Sequence, residues 1–249
     1  MTRYKAFGIH LTLSAIIATA VVGTMLLLWY PGPFFDAMGG NTLVMILVGV
    51  DVVLGPLITL IVFNPRKARH LLRLDLTVIG LVQAAALAYG VTVVAEARPI
   101  YLVFTIDRFD LVAATDIKDE ELARVTRPEY KDIPWGRPRT VAAQMPADPD
   151  EQLRIIQAGA AGADLQTFPQ HYVPYDTLAG AALQRAKPIA ELRKRHPEEG
   201  KAIDKAVGET GLGDEGLRFL PLKARNQDQA VLLNAKNGAI AGFAPVNPW

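Results

Sequence analysis

Three stretches of about twenty residues each, Leu11 to Tyr30, Leu43 to Phe63 and Leu76 to Ala95, are apolar around most of their circumference. Together they contain one charged side chain, Asp51. About twenty helical residues cross a hydrocarbon core of roughly 30 Å. A helix buried in a water-soluble core usually keeps a polar stripe at helical period, and these stretches have none. The spacing therefore predicts three transmembrane helices in residues 1–96, with spans at about 11–30, 43–63 and 76–95. The first run begins after Arg3 and Lys5, but it is too long for a signal-peptide core, and "LLLWYPGPFF" offers no small-x-small cleavage site. It is expected to stay in the membrane as an anchor.

The cations set an orientation. Arg3, Lys5, Arg66, Lys67, Arg69 and Arg73 flank the spans on one side, whereas the loop from Pro31 to Thr42 has no Lys or Arg. Positive loops stay in the cytoplasm, so the N-terminus and "NPRKARHLLR" are expected inside, and residues 97–249 outside. That arrangement is expected of a bacterial cell-envelope protein whose C-terminal domain lies outside the cytoplasm. Trp29 and Tyr30, at the outer end of the first span, fit an aromatic belt.

The exported part is nearly neutral, holding 20 of the 26 Lys and Arg and 21 of the 25 Asp and Glu. Phosphate recognition needs a net basic surface, so nucleic acid is not an expected partner. "PIYLVFTIDRFDLVAA" reads as a hairpin turning at Asp107 and Arg108, and "RTVAAQM" as a further strand. "DPDEQLRIIQAGAAG", capped by Asp148 or Asp150, "YDTLAGAALQRA", "PIAELRKRH" and "PEEGKAIDKAVGE" read as helices. Pro188 and Pro197 stand where helices begin. "LRFLPLKARNQDQAVLLNAKNGAIAGFAPV" reads as three strands, with Asn237-Gly238 turning the last hairpin. Strands, then helices, then strands make an α+β domain.

This domain has little to do catalysis with. The chain has no cysteine, and its one serine, Ser14, lies in the first span, so no nucleophile and base pair of the usual kinds is available outside the membrane. His171 and His196 are the two exported histidines and form no recognised metal motif. His171 reads as a structural residue and His196 as a solvated helix terminus. "GETGLGDEG" lacks the lysine of a phosphate loop and reads as a helix stop and turn. Glu120-Glu121 and Glu198-Glu199 read as solvated charges. No enzyme activity, cofactor or metal is expected.

The candidate site is therefore in the membrane. An ionised carboxylate at mid-span costs about 2.5 to 3.5 kcal/mol on insertion scales, so Asp51 needs a partner or water. Gly55-Pro56 follows within about a turn, and proline frees a backbone carbonyl and bends the helix. Asp51, Gly55 and Pro56 are the partner-binding candidates. Alternatively, Asp51 could hydrogen-bond Gln83, Thr59 or a tyrosine and hold the helices together. His10 and Asp75 sit at the cytoplasmic border, where no function is required of them.

Several segments carry a resemblance. "RYKAFGIHL", "WYPGPFF", "GVDVVLGPLITLIVFNP", "LRLDLTVIGLVQAAALAYG", "ARPIYLVFTIDRF" and the closing "FLPLKARNQDQAVLLNAKNGAIAG" are similar to the TfpX/TfpZ family of type IV pilin accessory proteins. The region from about Lys118 to Gly216 does not match. The resemblance implies a bacterial inner-membrane protein that binds one type IV major pilin, through its membrane helix and its periplasmic head, and aids its stability or assembly, with contacts to the pilus assembly machinery and to inner-membrane lipid. On that reading Asp51 and the Gly55-Pro56 bend form a polar groove edge for the pilin helix. The competing class is a small proton-coupled transporter or a ligand sensor using Asp51, although three spans suit an alternating-access transporter poorly.

Overall fold

A computed structural model describes residues 2–160 and 162–249. Three helices long and apolar enough to cross a membrane come first: α1 (Arg3–Trp29), α2 (Gly40–Val62) and α3 (Arg69–Glu96). α1 and α3 begin well before their apolar stretches and take Arg3, Lys5, Arg69 and Arg73 into the helix. α1 packs closely on α2 because Ala6, Ser14 and Ala18 repeat at helical spacing on its buried face. Small side chains let two helix backbones approach in lipid, where the hydrophobic effect between helices is absent.

The remainder builds one mixed sheet covered by helices. In chain order its elements are β1 (Pro99–Phe104), β2 (Phe109–Ala113), β3 (Arg139–Ala143), α4 (Pro149–Ala160), β4 (Tyr172–Pro174), α5 (Ala179–Arg185), β5 (Lys187–Pro188), α6 (Ile189–Arg195), α7 (Gly200–Thr210), β6 (Leu217–Lys223), β7 (Gln229–Asn234) and β8 (Ile240–Ala244). The described residues form eight strands in the order β4-β3-β1-β2-β6-β7-β8, with β5 paired to β6. The β1/β3 and β2/β6 pairs are parallel and the others antiparallel. This is the helical membrane anchor with an α+β domain that the apolar runs and strand pattern predict. The short β4 and β5, of three and two residues, were not anticipated.

Alternation along the strands divides the core. Tyr101 and Val103 of β1 face α4, where Ile155 and Phe168 close one cluster. Leu217 and Phe219 of β6 meet Ile189, Leu192 and Ile203 of α6 and α7. Leu102 and Phe104 face the opposite side with Leu220, Leu222, Val231 and Leu233, and this surface receives Tyr30, Phe34, Ala37 and Met38 from the loop between α1 and α2. Side chains two apart in a strand share a face, which is why one strand serves both layers. The last hairpin turns at Asn237-Gly238 as expected; Gly238 has φ +72°, and a Cβ there would lie 2.3 Å from the Ala179 carbonyl oxygen.

The outer loop is hydrogen-bonded to the sheet along its length. Gln229 Nε2 donates to the Pro33 carbonyl at 3.1 Å, the Asn226 amide to Ala37 at 2.9 Å, and Asn226 Nδ2 to Asp36 at 3.1 Å. Phe34 meets Phe243 edge to face, 5.2 Å between centroids. The same contacts correct the aromatic-belt expectation for Tyr30. Its ring is fully buried in the sheet core, and its hydroxyl donates to the Val94 carbonyl at 2.9 Å, tying the outer ends of α1 and α3 together. Trp29 Nε1 donates to the Trp135 carbonyl, and Arg98 stacks on the Trp135 ring at 4.2 Å. A buried phenol needs a hydrogen-bond partner, and a helix-end carbonyl left free by the end of α3 supplies one.

Two further expectations change. Glu121 is not a solvated charge: Arg154 Nη1 lies 2.8 Å from its Oε1, Gln170 Nε2 donates to Oε2 at 2.7 Å, and Arg154 also binds Glu151, which His171 Nε2 meets at 3.1 Å. The Arg154 hydrogen bonds hold Glu151 down at about 2, against the cost of partial burial. His196 ends α6 as expected, but its side chain is largely buried beside Glu198, 3.5 Å away. Gly211 closes α7, in keeping with a helix stop in "GETGLGDEG".

Candidate intramembrane partner-binding site

Proline shapes the centre of α2. Its backbone runs as α-helix from Gly40 to Val48, as a π segment from Gly49 to Leu54, and as α-helix again from Gly55 to Val62. Pro56 has no amide hydrogen and its ring crowds the carbonyl one turn earlier, a conflict that one widened turn relieves. In this widened register the Gly55 amide donates to Val50. The next amide would reach the Asp51 carbonyl, but residue 56 has none. Gln83 of α3 takes its place, donating from Nε2 to the Asp51 carbonyl oxygen at 3.2 Å.

Gly55 makes that bridge possible. A Cβ on Gly55 would lie 1.7 Å from Gln83 Nε2, so the amide occupies the space a side chain would take. Gly55 and Pro56 are both buried between helices. Their place is inside the three-helix unit, where they set the position of Asp51.

Residue Asp51 is 7% exposed, and no hydrogen bond or ion pair reaches its carboxylate among the described residues. None of the side-chain partners considered from the sequence engages it: Gln83 binds the Asp51 main chain, Thr59 Oγ1 lies 2.6 Å from His10 Nδ1, and no tyrosine reaches the carboxylate among the described residues. The carboxylate instead borders a cavity of about 190 Å³ between α1 and α3, both of which lean on α2. His10 and Ser14 line the α1 wall, Gly80 and Gln83 the α3 wall. A buried carboxylate in lipid requires a donor or cation, and this cavity is where one can enter. His10, expected at the membrane border, stands four residues before Ser14, a spacing that places both on the α2-facing side of α1.

The first 39 residues match the family model described as fimbrial assembly protein FimB. Fimbrial assembly proteins of Dichelobacter nodosus resemble the chain more widely. Those of serogroups E1 and I are each 29% identical over 234 residues, covering 94% of this chain and 91% of the relative. That of serogroups C1 and C2 is 36% identical over 118 residues, covering 47% of this chain and 90% of the relative. This chain belongs to the fimbrial assembly protein family. No solved structure matches it. The names of these fimbrial assembly proteins go no further than assembly of fimbriae, a broader statement than the TfpX/TfpZ resemblance.

Within this fimbrial assembly protein, several segments that carried the resemblance meet in space. "WYPGPFF" and "NQDQA" are joined by the Pro33–Gln229 bond, and "GVDVVLGP" and "GLVQAA" by the Asp51–Gln83 bond. These segments therefore hold the membrane helices together and fix the sheet to them.

Proposed function

We propose that this fimbrial assembly protein is an inner-membrane accessory protein of the TfpX/TfpZ type, non-catalytic, that binds one particular type IV pilin and promotes its stability or assembly into the pilus. Its N-terminus lies in the cytoplasm and its sheet domain in the periplasm. The pilin helix enters between α1 and α3 and satisfies Asp51 with a cation or hydrogen-bond donor, while Gly55 and Pro56 hold that carboxylate in place. The sheet domain contacts the pilin head and selects which pilin is served.

The observation that carries this reading is the unpartnered Asp51 carboxylate beside a cavity between two membrane helices. The latch between the outer loop and the sheet supports it further, because it fixes a membrane surface and an exported surface in one orientation, as a membrane-anchored partner requires. Asp51→Asn keeps the shape of the side chain and removes its charge. Reduced pilin recovery and piliation at an unchanged level of the protein is the expected result. Normal piliation would contradict the charged contact, and a proton-coupled activity abolished in the variant with pilin recovery intact would favour a transporter.

A further inference from the structure

The sheet ends at β8, whose outer edge pairs with no other strand among the described residues. α7 covers one face of this region through Ile203, Ala206 and Val207, and the outer loop covers the other through Phe34 against Phe243. A groove of about 670 Å³ is lined by both of those elements and by Ala241, Gly242 and Phe243 of β8. Bordered from both faces, it lies off the open edge of the strand.

The edge has few of the devices that discourage strand addition. β8 reads Ile-Ala-Gly-Phe-Ala, with no charge and no proline before Pro245. A bulge at Ala241 shifts the register against β7 and leaves Gly242 to Ala244 as the regular part. At the base of the groove Gln229 is fully buried. Its amide orientation is dictated, because the Pro33 carbonyl can only accept, so Nε2 faces Pro33 and Oε1 is left without a donor. A buried acceptor without a partner is costly, so the base of the groove holds an unmet demand for a donor.

We infer that this groove is a peptide-binding site in which an extended, membrane-proximal segment of the pilin adds along the β8 edge, main chain to main chain. Strand addition draws affinity from backbone hydrogen bonds and tolerates a floor of alanine and glycine, which lets the incoming backbone come close. Gly32, Pro33 and Asp36 place the groove beside the loop that joins the first two membrane helices, so the occupant is a segment that runs near the bilayer. Asp36 and Glu209 against Lys205 at the rim favour a neutral or basic segment. The inference rests on the pilin-binding reading and extends it to a named surface.

Because the chain has no cysteine, single-cysteine variants label one position each. Ala241→Cys and Glu209→Cys, carrying a maleimide photocrosslinker in membranes that contain pilin, are expected to give adducts with one extended pilin segment. Lys131→Cys, exposed and away from the groove, is expected to give none. Ala241→Lys places a charge in the groove and is expected to lower pilin co-purification about tenfold at equal recovery of folded protein. Undiminished pilin recovery with Ala241→Lys, and no groove adduct, would overturn this site while leaving pilin binding standing. Adducts with phospholipid or with a second copy of the chain alone would overturn it in favour of those occupants. If the parent protein recovers no pilin at all, both readings fall.

Discussion

Gln83 and Asp51, on different membrane helices, are joined side chain to main chain at 3.2 Å, at the carbonyl that Pro56 cannot reach with an amide of its own. The bond shows why the proline is tolerated at mid-membrane. It also leaves the Asp51 carboxylate without a partner among the described residues.

Gly55 is the tightest point of that arrangement. Gly55→Ala drives a methyl into the Gln83 amide and is expected to destabilise the helical unit by about 1 to 3 kcal/mol. Gln83→Ala in the same chain removes the obstacle, so the double variant should be more stable than the sum of the single changes indicates. Thermal unfolding of all four proteins in one detergent measures the coupling.

Phe34 anchors the outer loop in the sheet core. Phe34→Ala is expected to cost about 3 to 5 kcal/mol. The loss should appear as a lower melting midpoint and as new proteolytic cleavage between Pro31 and Gly39. The membrane helices, held by contacts of their own, should keep their helical circular dichroism.

Two carboxylates of the sheet domain respond to pH in opposite senses. Glu151 falls from an ordinary 4.5 to about 2, chiefly through Arg154, so it stabilises the fold above pH 4.5 and that contribution disappears as pH falls toward 2. Burial raises Asp110 to about 6 despite Arg108 beside it, so its contribution is greatest below its ordinary 3.8 and declines as pH rises through 6. Melting midpoints across pH 2 to 7 should fall less steeply below pH 4.5 in Glu151→Gln than in the parent. In Asp110→Asn the decline between pH 4 and 6 should be reduced.

The amino-acid sequence made the membrane helices legible because hydropathy over twenty residues is a local property, and the hairpins legible because Asp107-Arg108 and Asn237-Gly238 punctuate alternating runs. Tyr30 was misread because it ends an apolar run, where a belt residue and a core residue look alike until the sheet is in place. Glu121 was misread for a related reason: its partner Arg154 lies far along the chain in a separate helix. Asp51, Gly55 and Pro56 stood out as a group, since a carboxylate is costly in lipid and a Gly-Pro pair one turn later bends the helix that carries it. Gln83 was visible as a polar residue in α3, but its reach to a backbone carbonyl depends on the π segment, which no residue pattern announced. Gln229, in a polar run before a strand, carried no signal of burial.

We propose that this fimbrial assembly protein holds a pilin. The most direct measurement is purification of the tagged full chain from its own host in mild detergent, after crosslinking in cells, with the recovered partners identified by mass spectrometry. The major type IV pilin is expected as the dominant partner, reduced in the Asp51→Asn variant. Recovery of the tagged protein without pilin would contradict it.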